Sequence, residues 1–397
     1  MTNEEIRALA DKYLVNTYGS RKICFVRGQG THLWDADGKE YIDLFSGIAV
    51  CVLGHSHPKI AEAISTQAKK LLHVSNLYNI EPQVLLAKKL SELSFAKKWF
   101  FCNSGAEANE AGIKLARRYW YVKGTSKPHI ITAENSFHGR TLATITATAQ
   151  VKYHQGFEPL VPGFSYVPYN DVSALEKAII PQTGAILLEP IQGEGGVITP
   201  SENYLKEVRQ LCNEKDILLI FDEVQTGMGR TGNLFAHQGY SVEPDIITLA
   251  KGLANGVPIG ALGCTEEVSQ GFSPGMHAST FGGNPLATTT ALAVLDEITK
   301  PGFLDEVKSK GEFFLTGLKN IAKSHPKIKD VRGRGLMIGV EFDEAVSPIV
   351  SKLAEKGIIC GSAGPNVLRF LPPLIIEKEE IALALEILET TLGELGW

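Results

Sequence analysis

Short apolar runs alternate with helical patterns through the middle of this chain. Between about residues 81 and 285, six runs have the length and apolar character of buried strands. They are Trp99–Cys102, His129–Ala133, Ala185–Glu189, Leu218–Asp222, Ile246–Leu249 and Gly260–Cys264. Strands that alternate with helices in this way predict an α/β fold with a mainly parallel, doubly wound sheet and right-handed crossovers.

The two ends of the chain have other patterns. Ile6, Leu9, Ala10 and Tyr13 recur at helical spacing and predict a short amphipathic helix, and the segment 32–44 has the turn chemistry of a hairpin. The last third carries a helix, strand-like runs, another helix and a final helix, which is an α+β pattern. We therefore predict a large domain at 56–290 and a smaller α+β domain at 291–397.

Composition and charge narrow the classes of function. The 397 residues are 44% hydrophobic with a net charge of −5, and no long basic tract supports nucleic-acid binding. No apolar run approaches the roughly 18 residues of a membrane span, and the acidic N-terminus is not that of a signal peptide. Six scattered cysteines without CxxC spacing predict reduced thiols in a cytoplasmic protein and argue against a metal site.

A carboxylate and an amine follow two of the predicted strands. Asp222 ends one run and Lys251 follows another. Ligands bind outside the carboxyl ends of strands in open α/β sheets, so these side chains should meet in one cleft. The pair suits a pyridoxal phosphate (PLP) enzyme, in which a lysine forms a Schiff base with the cofactor aldehyde and an aspartate pairs with the pyridinium nitrogen. Taken singly, Asp222 could cap a helix and Lys251 could be a solvated strand end.

Several further segments occur in one order along the chain. They are GIAVCVLGHSHP (47–58), NSGAEANE (103–110), SFHGRT (136–141), EPIQGEGG (189–196), DEVQTGMGRTG (222–232), AKGLANGVPIGA (250–261), STFGGNP (279–285) and NVLRFLPPL (366–374). From about Tyr18 to the C-terminus, the chain resembles the class III (ornithine-type) aminotransferases, which are PLP enzymes of fold type I. The resemblance implies that the N-terminal segment, 1–55, joins the small domain.

The resemblance assigns cofactor contacts residue by residue. Gly105 and Ala106 would contact the phosphate at a helix start, where free N–H groups attract an anion, with Glu107 and Asn109 capping or bracing that loop. Phe137 would stack on the ring and Val224 would pack on its other face. Gln225 would reach the phenolic oxygen, and Lys251 would serve both as Schiff-base partner and as proton carrier. From the residues alone, NSGAEANE could equally be an ordinary helix cap, and Phe137 could be a core residue.

Five residues are candidates for substrate recognition: Arg140, Glu194, Arg369, Tyr18 and, in the STFGGNP segment, Ser279. By resemblance, Arg140 would hold the α-carboxylate of an acylated amino donor and the distal carboxylate of glutamate. Glu194 and Arg369 would form a gate: Glu194 screens Arg369 while the donor with a neutral amide is bound and releases it for the second carboxylate of glutamate. A permanent salt bridge is the alternative for this pair, and a surface ion pair is the alternative for Arg140. Tyr18 matches an aromatic residue that touches substrate, although it could instead pack beside the first helix.

The resemblance also implies a homodimer with shared active sites. Thr280 would reach the phosphate of the partner subunit's cofactor, and Ser279 would lie near the substrate. His55, His57 and His138 stand in loop contexts without a carboxylate at ligand spacing, so we expect no metal there.

The implied reaction moves the terminal amine of N2-acetyl-L-ornithine to 2-oxoglutarate by a ping-pong mechanism. Succinylornithine, N-succinyl-diaminopimelate, ornithine and 4-aminobutyrate remain alternative donors. Cys51 and Val52 stand where a polar residue is expected after GIAV, which leaves the fine substrate preference open. A non-catalytic PLP-binding protein is disfavoured by the presence of Lys251, Asp222 and Arg140 together, and a mutase or decarboxylase is disfavoured by the Glu194–Arg369 pairing.

Overall fold

Fifteen strands form three sheets in the computed structural model, which describes residues 1–397. In chain order they are β1 (Phe25–Gln29), β2 (His32–Asp35), β3 (Glu40–Asp43), β4 (Lys98–Cys102), β5 (His129–Ala133), β6 (Phe164–Val167), β7 (Thr183–Leu188), β8 (Leu218–Asp222), β9 (Ile246–Leu249), β10 (Gly260–Cys264), β11 (Ile328–Arg334), β12 (Met337–Phe342), β13 (Ile358–Ile359), β14 (Gly361–Ala363) and β15 (Val367–Phe370).

Helices cover the sheets and join them. They are α1 (Asn3–Tyr13), α2 (Ser46–Ala49), α3 (Pro58–Lys70), α4 (Glu81–Leu93), α5 (Gly105–Val122), α6 (Leu142–Ala147), α7 (Val151–His154), α8 (Val172–Ala178), α9 (Tyr204–Lys215), α10 (Glu266–Ser269), α11 (Pro285–Ile298), α12 (Phe303–Ala322), α13 (Ser347–Glu355) and α14 (Lys378–Leu395). Two short 3₁₀ helices span Ala236–Tyr240 and Lys251–Ala254. None of these helices combines the length and the apolar character that a bilayer crossing requires.

The largest sheet has seven strands in the order β4-β10-β9-β8-β7-β5-β6. The five strands from β9 to β6 in that order pair in parallel, while β10 runs antiparallel to both β9 and β4. The prediction of a mainly parallel doubly wound sheet is therefore confirmed. All six predicted strands are present, and β6, which the apolar runs did not reveal, adds an edge strand.

The central strands are apolar throughout because both faces of the sheet are covered. In β7, Ala185 and Leu187 belong to one apolar cluster with α5, whereas Ile186 and Leu188 belong to a second cluster with α9. Every residue of β8 is buried as well. Burial of each leucine or isoleucine side chain contributes roughly 1.5–3 kcal/mol to the stability of the fold. This packing on both faces therefore holds the strand ends in place.

Two smaller sheets complete the fold. The predicted N-terminal hairpin is present as β2 and β3, and β3 pairs in parallel with β13 from the last third of the chain. The third sheet has the order β11-β12-β15-β14 and carries Arg369 on β15. The domain boundaries 1–55, 56–290 and 291–397 stay predictions.

A buried arginine ties these parts together. Arg230 follows β8 in the GMGRTG segment, and its Nη1 donates hydrogen bonds to the carbonyl oxygens of Leu336 (3.1 Å) and Pro372 (2.5 Å). Burial lowers the pKa of Arg230 to about 9, so it keeps its charge near neutral pH. The loop after β8 is thereby connected directly to the segments before β12 and after β15.

The short element α2, which overlaps the GIAV segment, is a left-handed turn. Ser46, Gly47, Ile48 and Ala49 all have positive φ, between 45° and 67°. Left-handed backbone costs roughly 1–2 kcal/mol at a non-glycine residue. The carboxylate of Asp43 accepts hydrogen bonds from the backbone N–H groups of Phe45 and Ser46, both at 2.8 Å, and these contacts help to hold the turn.

Candidate active site

A cavity of about 430 Å³ opens at the carboxyl edge of the seven-stranded sheet. Its walls come from the loops that follow β4, β5, β7, β8 and β9, because parallel strands end at one edge. Of the thirteen site residues predicted from sequence, those that line this cavity are Gly105, Ala106, Phe137, Arg140, Asp222, Val224, Gln225 and Lys251.

The other five predicted residues lie outside the cavity wall. Glu194 and Arg369 stand behind Gln225 and contact it from the side of β15. Ser279 and Thr280 line a neighbouring surface cavity with His277. Tyr18 is 81% exposed, with the guanidinium of Arg21 5.8 Å from its ring. Within one chain, the structure therefore does not bring Tyr18, Ser279 or Thr280 to the cavity.

Lys251 enters the cavity from the end of β9. Its backbone has a φ of 43°, a left-handed conformation that starts the 3₁₀ helix Lys251–Ala254. Burial lowers the pKa of Lys251 to about 8, against the opposing influence of Glu194. A large share of the amine is therefore neutral just above neutral pH, which is the form that can attack an aldehyde or accept a proton.

Asp222, at the end of β8, is held by three donors. The backbone N–H of Val224 donates to Oδ1 at 3.0 Å, while Asn109 Nδ2 and His138 Nδ1 lie 2.6 and 2.8 Å from Oδ2. Asp222, Asn109 and His138 are all at most 3% exposed. These contacts fix the orientation of a carboxylate that lines the cavity.

Asn109, which was expected to cap or brace the loop before α5, lies elsewhere in the structure. Glu107 does brace the loop, since its carboxylate accepts a 2.6 Å hydrogen bond from the Asn103 backbone. Asn109 instead lies under Asp222, and its own side-chain oxygen accepts a 2.7 Å hydrogen bond from the Thr248 hydroxyl. The sequence holds a signal for this: Asn109 falls on the helix face that also carries Gly112 and Ile113, and a polar residue on a buried face needs partners.

The start of α5 forms a close-fitting cradle. Ser104 caps the helix through its hydroxyl, which accepts from the Glu107 backbone N–H. A Cβ atom at Gly105 would lie 2.7 Å from Val224 Cγ1, and one at Gly139 would lie 2.8 Å from Ala106 Cβ. Only glycine fits at these two positions, and the free N–H groups of the first turn remain available to an anion such as phosphate.

The cavity therefore fits the expected cofactor by its own features. The helix start suits a phosphate, Asp222 suits a ring nitrogen, Phe137 and Val224 offer apolar walls, and Lys251 offers an amine. A ligand of this size and mixed polarity matches the cavity volume.

Glu189 connects two loops of the site and was anticipated only as a strand end. One carboxylate oxygen accepts from the Phe137 backbone N–H at 3.0 Å, and the other accepts from the Gly193 backbone N–H at 3.1 Å. Burial raises the pKa of Glu189 to about 7. This carboxyl group links the aromatic wall of the cavity to the loop that carries Glu194.

The predicted gate residues are in contact. Arg369 is 2% exposed, and its Nη1 donates to Glu194 Oε1 at 2.6 Å and to Gln225 Oε1 at 3.2 Å. Burial by itself would raise the pKa of Glu194, but Arg369 and Lys251 lower it, and the net pKa lies below the usual range. Arg369 is thus neutralised by a neighbouring carboxylate beside the cavity.

Known proteins resemble the whole chain. Residues 14–392 match the family model described as Aminotransferase class-III. The acetylornithine aminotransferase of Caldanaerobacter subterraneus subsp. tengcongensis is 54% identical over 97% of this chain and 98% of that protein. The acetylornithine aminotransferase of Methanocaldococcus jannaschii is 50% identical over the full length of both chains.

Two solved structures have the same fold along nearly the whole chain. The ornithine aminotransferase of Toxoplasma gondii superposes with a TM-score of 0.96 at 35% identity, covering 100% of this chain and 96% of that one. The N-acetylornithine aminotransferase of Stenotrophomonas maltophilia superposes with a TM-score of 0.84 at 38% identity, covering 98% of each.

Cofactor attachment should depend on Lys251 and on pH. Because the amine must be neutral to attack, the rate at which cofactor-free protein gains PLP should rise with pH around a midpoint of about 8. Intact mass after borohydride reduction would record the attached cofactor. Lys251→Ala should show no added mass, whereas the exposed Lys123→Ala should behave as wild type. Attachment to the Lys251→Ala protein would contradict the assignment.

Removing the support of Asp222 should weaken cofactor binding. Asn109→Leu deletes the 2.6 Å donor to Asp222 and leaves the Thr248 hydroxyl without its acceptor. A lost hydrogen bond to a charged group is worth about 1.5–3 kcal/mol, so we expect the PLP dissociation constant to rise by at least about tenfold in equilibrium dialysis. Asn213→Ala, on the exposed face of α9, is the control. An unchanged dissociation constant would show that Asn109 is not needed to orient Asp222.

Proposed function

This chain belongs to the class III aminotransferases, and we propose that it transfers the terminal amine of N2-acetyl-L-ornithine to 2-oxoglutarate. The products are N-acetyl-L-glutamate 5-semialdehyde and L-glutamate, a step of arginine biosynthesis. The enzyme is a PLP-dependent transaminase with amino-acid substrates, as are its relatives in this family.

The structural observation that best supports this function is the contact between Glu194 and Arg369. Acetylornithine presents one carboxylate and a neutral amide, whereas glutamate presents two carboxylates. A cavity with Arg140 unpaired and Arg369 paired offers one free cation to the first substrate. When Glu194 moves away, the same cavity offers a second cation to glutamate, so one site serves two unlike substrates.

Each residue of the cavity has a defined part in this chemistry. When bound, PLP supplies an aldehyde that takes up the amino group and a ring that accepts electrons from the substrate carbon. Lys251 holds the cofactor and, once its neutral amine is free, moves a proton to or from the reacting carbon. Asp222 pairs with the ring nitrogen, and Asn109 and His138 keep its carboxylate in position.

The remaining residues orient the ligands. Phe137 and Val224 would hold the ring between them, and Gln225 would hydrogen-bond its phenolic oxygen. Gly105 and Ala106 bind the phosphate at the start of α5. Arg140 receives the α-carboxylate of acetylornithine or the distal carboxylate of glutamate through its planar fork. The neutral Lys251 amine that these steps need is favoured by its burial.

Ornithine is the second candidate donor, favoured by the TM-score of 0.96 with the Toxoplasma gondii ornithine aminotransferase. Ornithine carries a charged α-amine in place of the neutral acetamide. Succinylornithine, N-succinyl-diaminopimelate and 4-aminobutyrate differ from acetylornithine in the number or position of carboxylates. These differences are large enough to separate the candidates by rate.

A half-reaction panel tests the function and the gate together. Each donor is mixed with the PLP-loaded enzyme, and the change in cofactor absorbance gives a rate constant. We expect acetylornithine to exceed ornithine and 4-aminobutyrate by at least about tenfold. Ornithine would bring an unpaired charged α-amine into the cavity, and 4-aminobutyrate carries its carboxylate at another distance from the reacting amine; a difference of about 1.4 kcal/mol is enough for a tenfold change in rate. Faster reaction with ornithine would overturn the donor assignment.

The same panel run on Glu194→Ala tests the screening of Arg369. Without the carboxylate, Arg369 is free at all times, and the glutamate rate relative to that of acetylornithine should rise by about tenfold. Glu202→Ala, a substitution on the exposed surface, is the matched control. An unchanged ratio would mean that the pair is a permanent salt bridge.

We further propose a homodimer with shared sites. Leu77, Tyr78 and Phe281 are between 62% and 87% exposed, and their segments adjoin because Asn76 donates 2.9 Å hydrogen bonds to the carbonyl oxygens of Ser279 and Gly282. An exposed apolar patch of this kind favours an interface, which would cover Thr280 and bring it to the partner's phosphate. Tyr18, exposed in one chain, would gain its substrate contact in the same way.

Sedimentation velocity at micromolar concentration checks this assembly. We expect a species of twice the 43.1 kDa chain mass, and Leu77→Asp with Phe281→Asp should shift it toward the monomer. A wild-type protein that sediments only as a monomer would contradict the shared site.

All six cysteines are free thiols, which supports a reducing compartment and hence a cytoplasmic location.

A further inference from the structure

The guanidinium of Arg140 lies beside two aromatic rings at the mouth of the cavity. Its Cζ lies 4.0 Å from the ring centroid of Tyr153 and 5.4 Å from that of Phe137. The two rings are 6.0 Å apart and nearly perpendicular. Arg140 forms no salt bridge within the chain, so the rings are its principal contacts and its hydrogen-bonding edge is available to a ligand.

Tyr153 is held in place by its own segment. It lies in α7, where the neighbouring His154 is buried with Nε2 3.0 Å from the Ile145 carbonyl oxygen and 2.7 Å from that of Thr148. Gln150, just before α7, donates a 2.9 Å hydrogen bond to the Ser136 carbonyl oxygen. The segment that carries Tyr153 is therefore anchored to the loop that carries Phe137 and Arg140.

The ring of Tyr153 restricts the conformations of the long, flexible Arg140 side chain. Free arginine side chains lose rotamer freedom when they bind a carboxylate, and that loss weakens binding. A guanidinium that already lies against an aromatic face is pre-oriented, and its fork stays aligned for a planar carboxylate. The ring of Tyr153 is the closer of the two, at 4.0 Å against 5.4 Å for Phe137, so it is the main aromatic contact of Arg140.

We propose that Tyr153 is a positioning residue for substrate, holding the Arg140 fork toward the cavity so that it receives the carboxylate of either substrate. This inference rests on the proposed function, in which both half-reactions use Arg140. Tyr153 does not line the cavity and acts only through Arg140, so its effect should fall on KM and not on kcat.

A second cation shares the same ring and must be separated from this effect. Lys152 Nζ lies 4.8 Å from the Tyr153 centroid, and like Arg140 it forms no salt bridge. If the ring served only to hold Lys152 near the anionic substrate, Lys152→Ala would reproduce the loss of the ring. Under the proposal, Lys152→Ala changes KM by less than about twofold.

The test compares Tyr153→Leu, Tyr153→Phe and wild-type holoenzyme. Tyr153→Leu should raise KM about fivefold for both acetylornithine and glutamate, in keeping with a half-exposed cation–π contact, with kcat within twofold. Tyr153→Phe keeps the ring face and should restore both KM values. Tyr121→Leu is a matched control, because Tyr121 holds Arg118 at 4.8 Å in the same kind of pair away from the cavity.

The PLP dissociation constant and the thermal midpoint of each variant separate positioning from damage to the fold. Both should match wild type in Tyr153→Leu. The proposal is overturned if Tyr153→Leu leaves both KM values unchanged, if Tyr153→Phe is as impaired as Tyr153→Leu, or if Lys152→Ala is equally impaired. If acetylornithine fails as a donor for the wild-type enzyme, the glutamate half-reaction still decides the role of Tyr153.

Discussion

The neighbouring positions of β8 and β9 in the parallel sheet determine the chemistry of this protein. Because these strands pair and end at the same edge, Asp222 and Lys251 face one cavity although 28 residues separate them in the chain. The strands are buried on both faces, so their ends have little freedom to move. A cofactor bound between an amine and a carboxylate meets both in a fixed geometry, which is the condition for oriented proton transfer.

Burial shifts the pKa values of ionisable groups in the site. Desolvation lowers the pKa of Lys251 to about 8 and raises that of Glu189 to about 7, which brings an amine and a carboxyl group toward the working range of an enzyme at neutral pH. Asp222 is equally buried but is surrounded by donors, and Glu194 is stabilised by Arg369. The same low-polarity cavity therefore holds groups with different tasks, each set by its immediate partners.

Two arginines serve the cavity in contrasting ways. Arg369 is buried, neutralised by Glu194 and linked to Gln225, and under the proposed gate it would become available when Glu194 moves. Arg140 is exposed, carries no counter-ion and is oriented by aromatic faces. The proposed gate would therefore make Arg369 available only in one half-reaction and Arg140 in both, which would suit an enzyme that accepts one carboxylate in one half-reaction and two in the other.

Local patterns in the sequence were sufficient for six of the seven strands of the large sheet, the hairpin, the helix start at Gly105 and the pair Asp222 and Lys251, because apolar runs and the residues that end them are local properties of the chain. The resemblance added the cofactor family and the gate residues. Tertiary structure alone decided that Asn109, 113 residues from Asp222, supports its carboxylate, that Glu189 joins two loops, and that Tyr153 packs on Arg140. These are contacts between segments distant in sequence, and they exist only because the sheet order brings those segments to one edge.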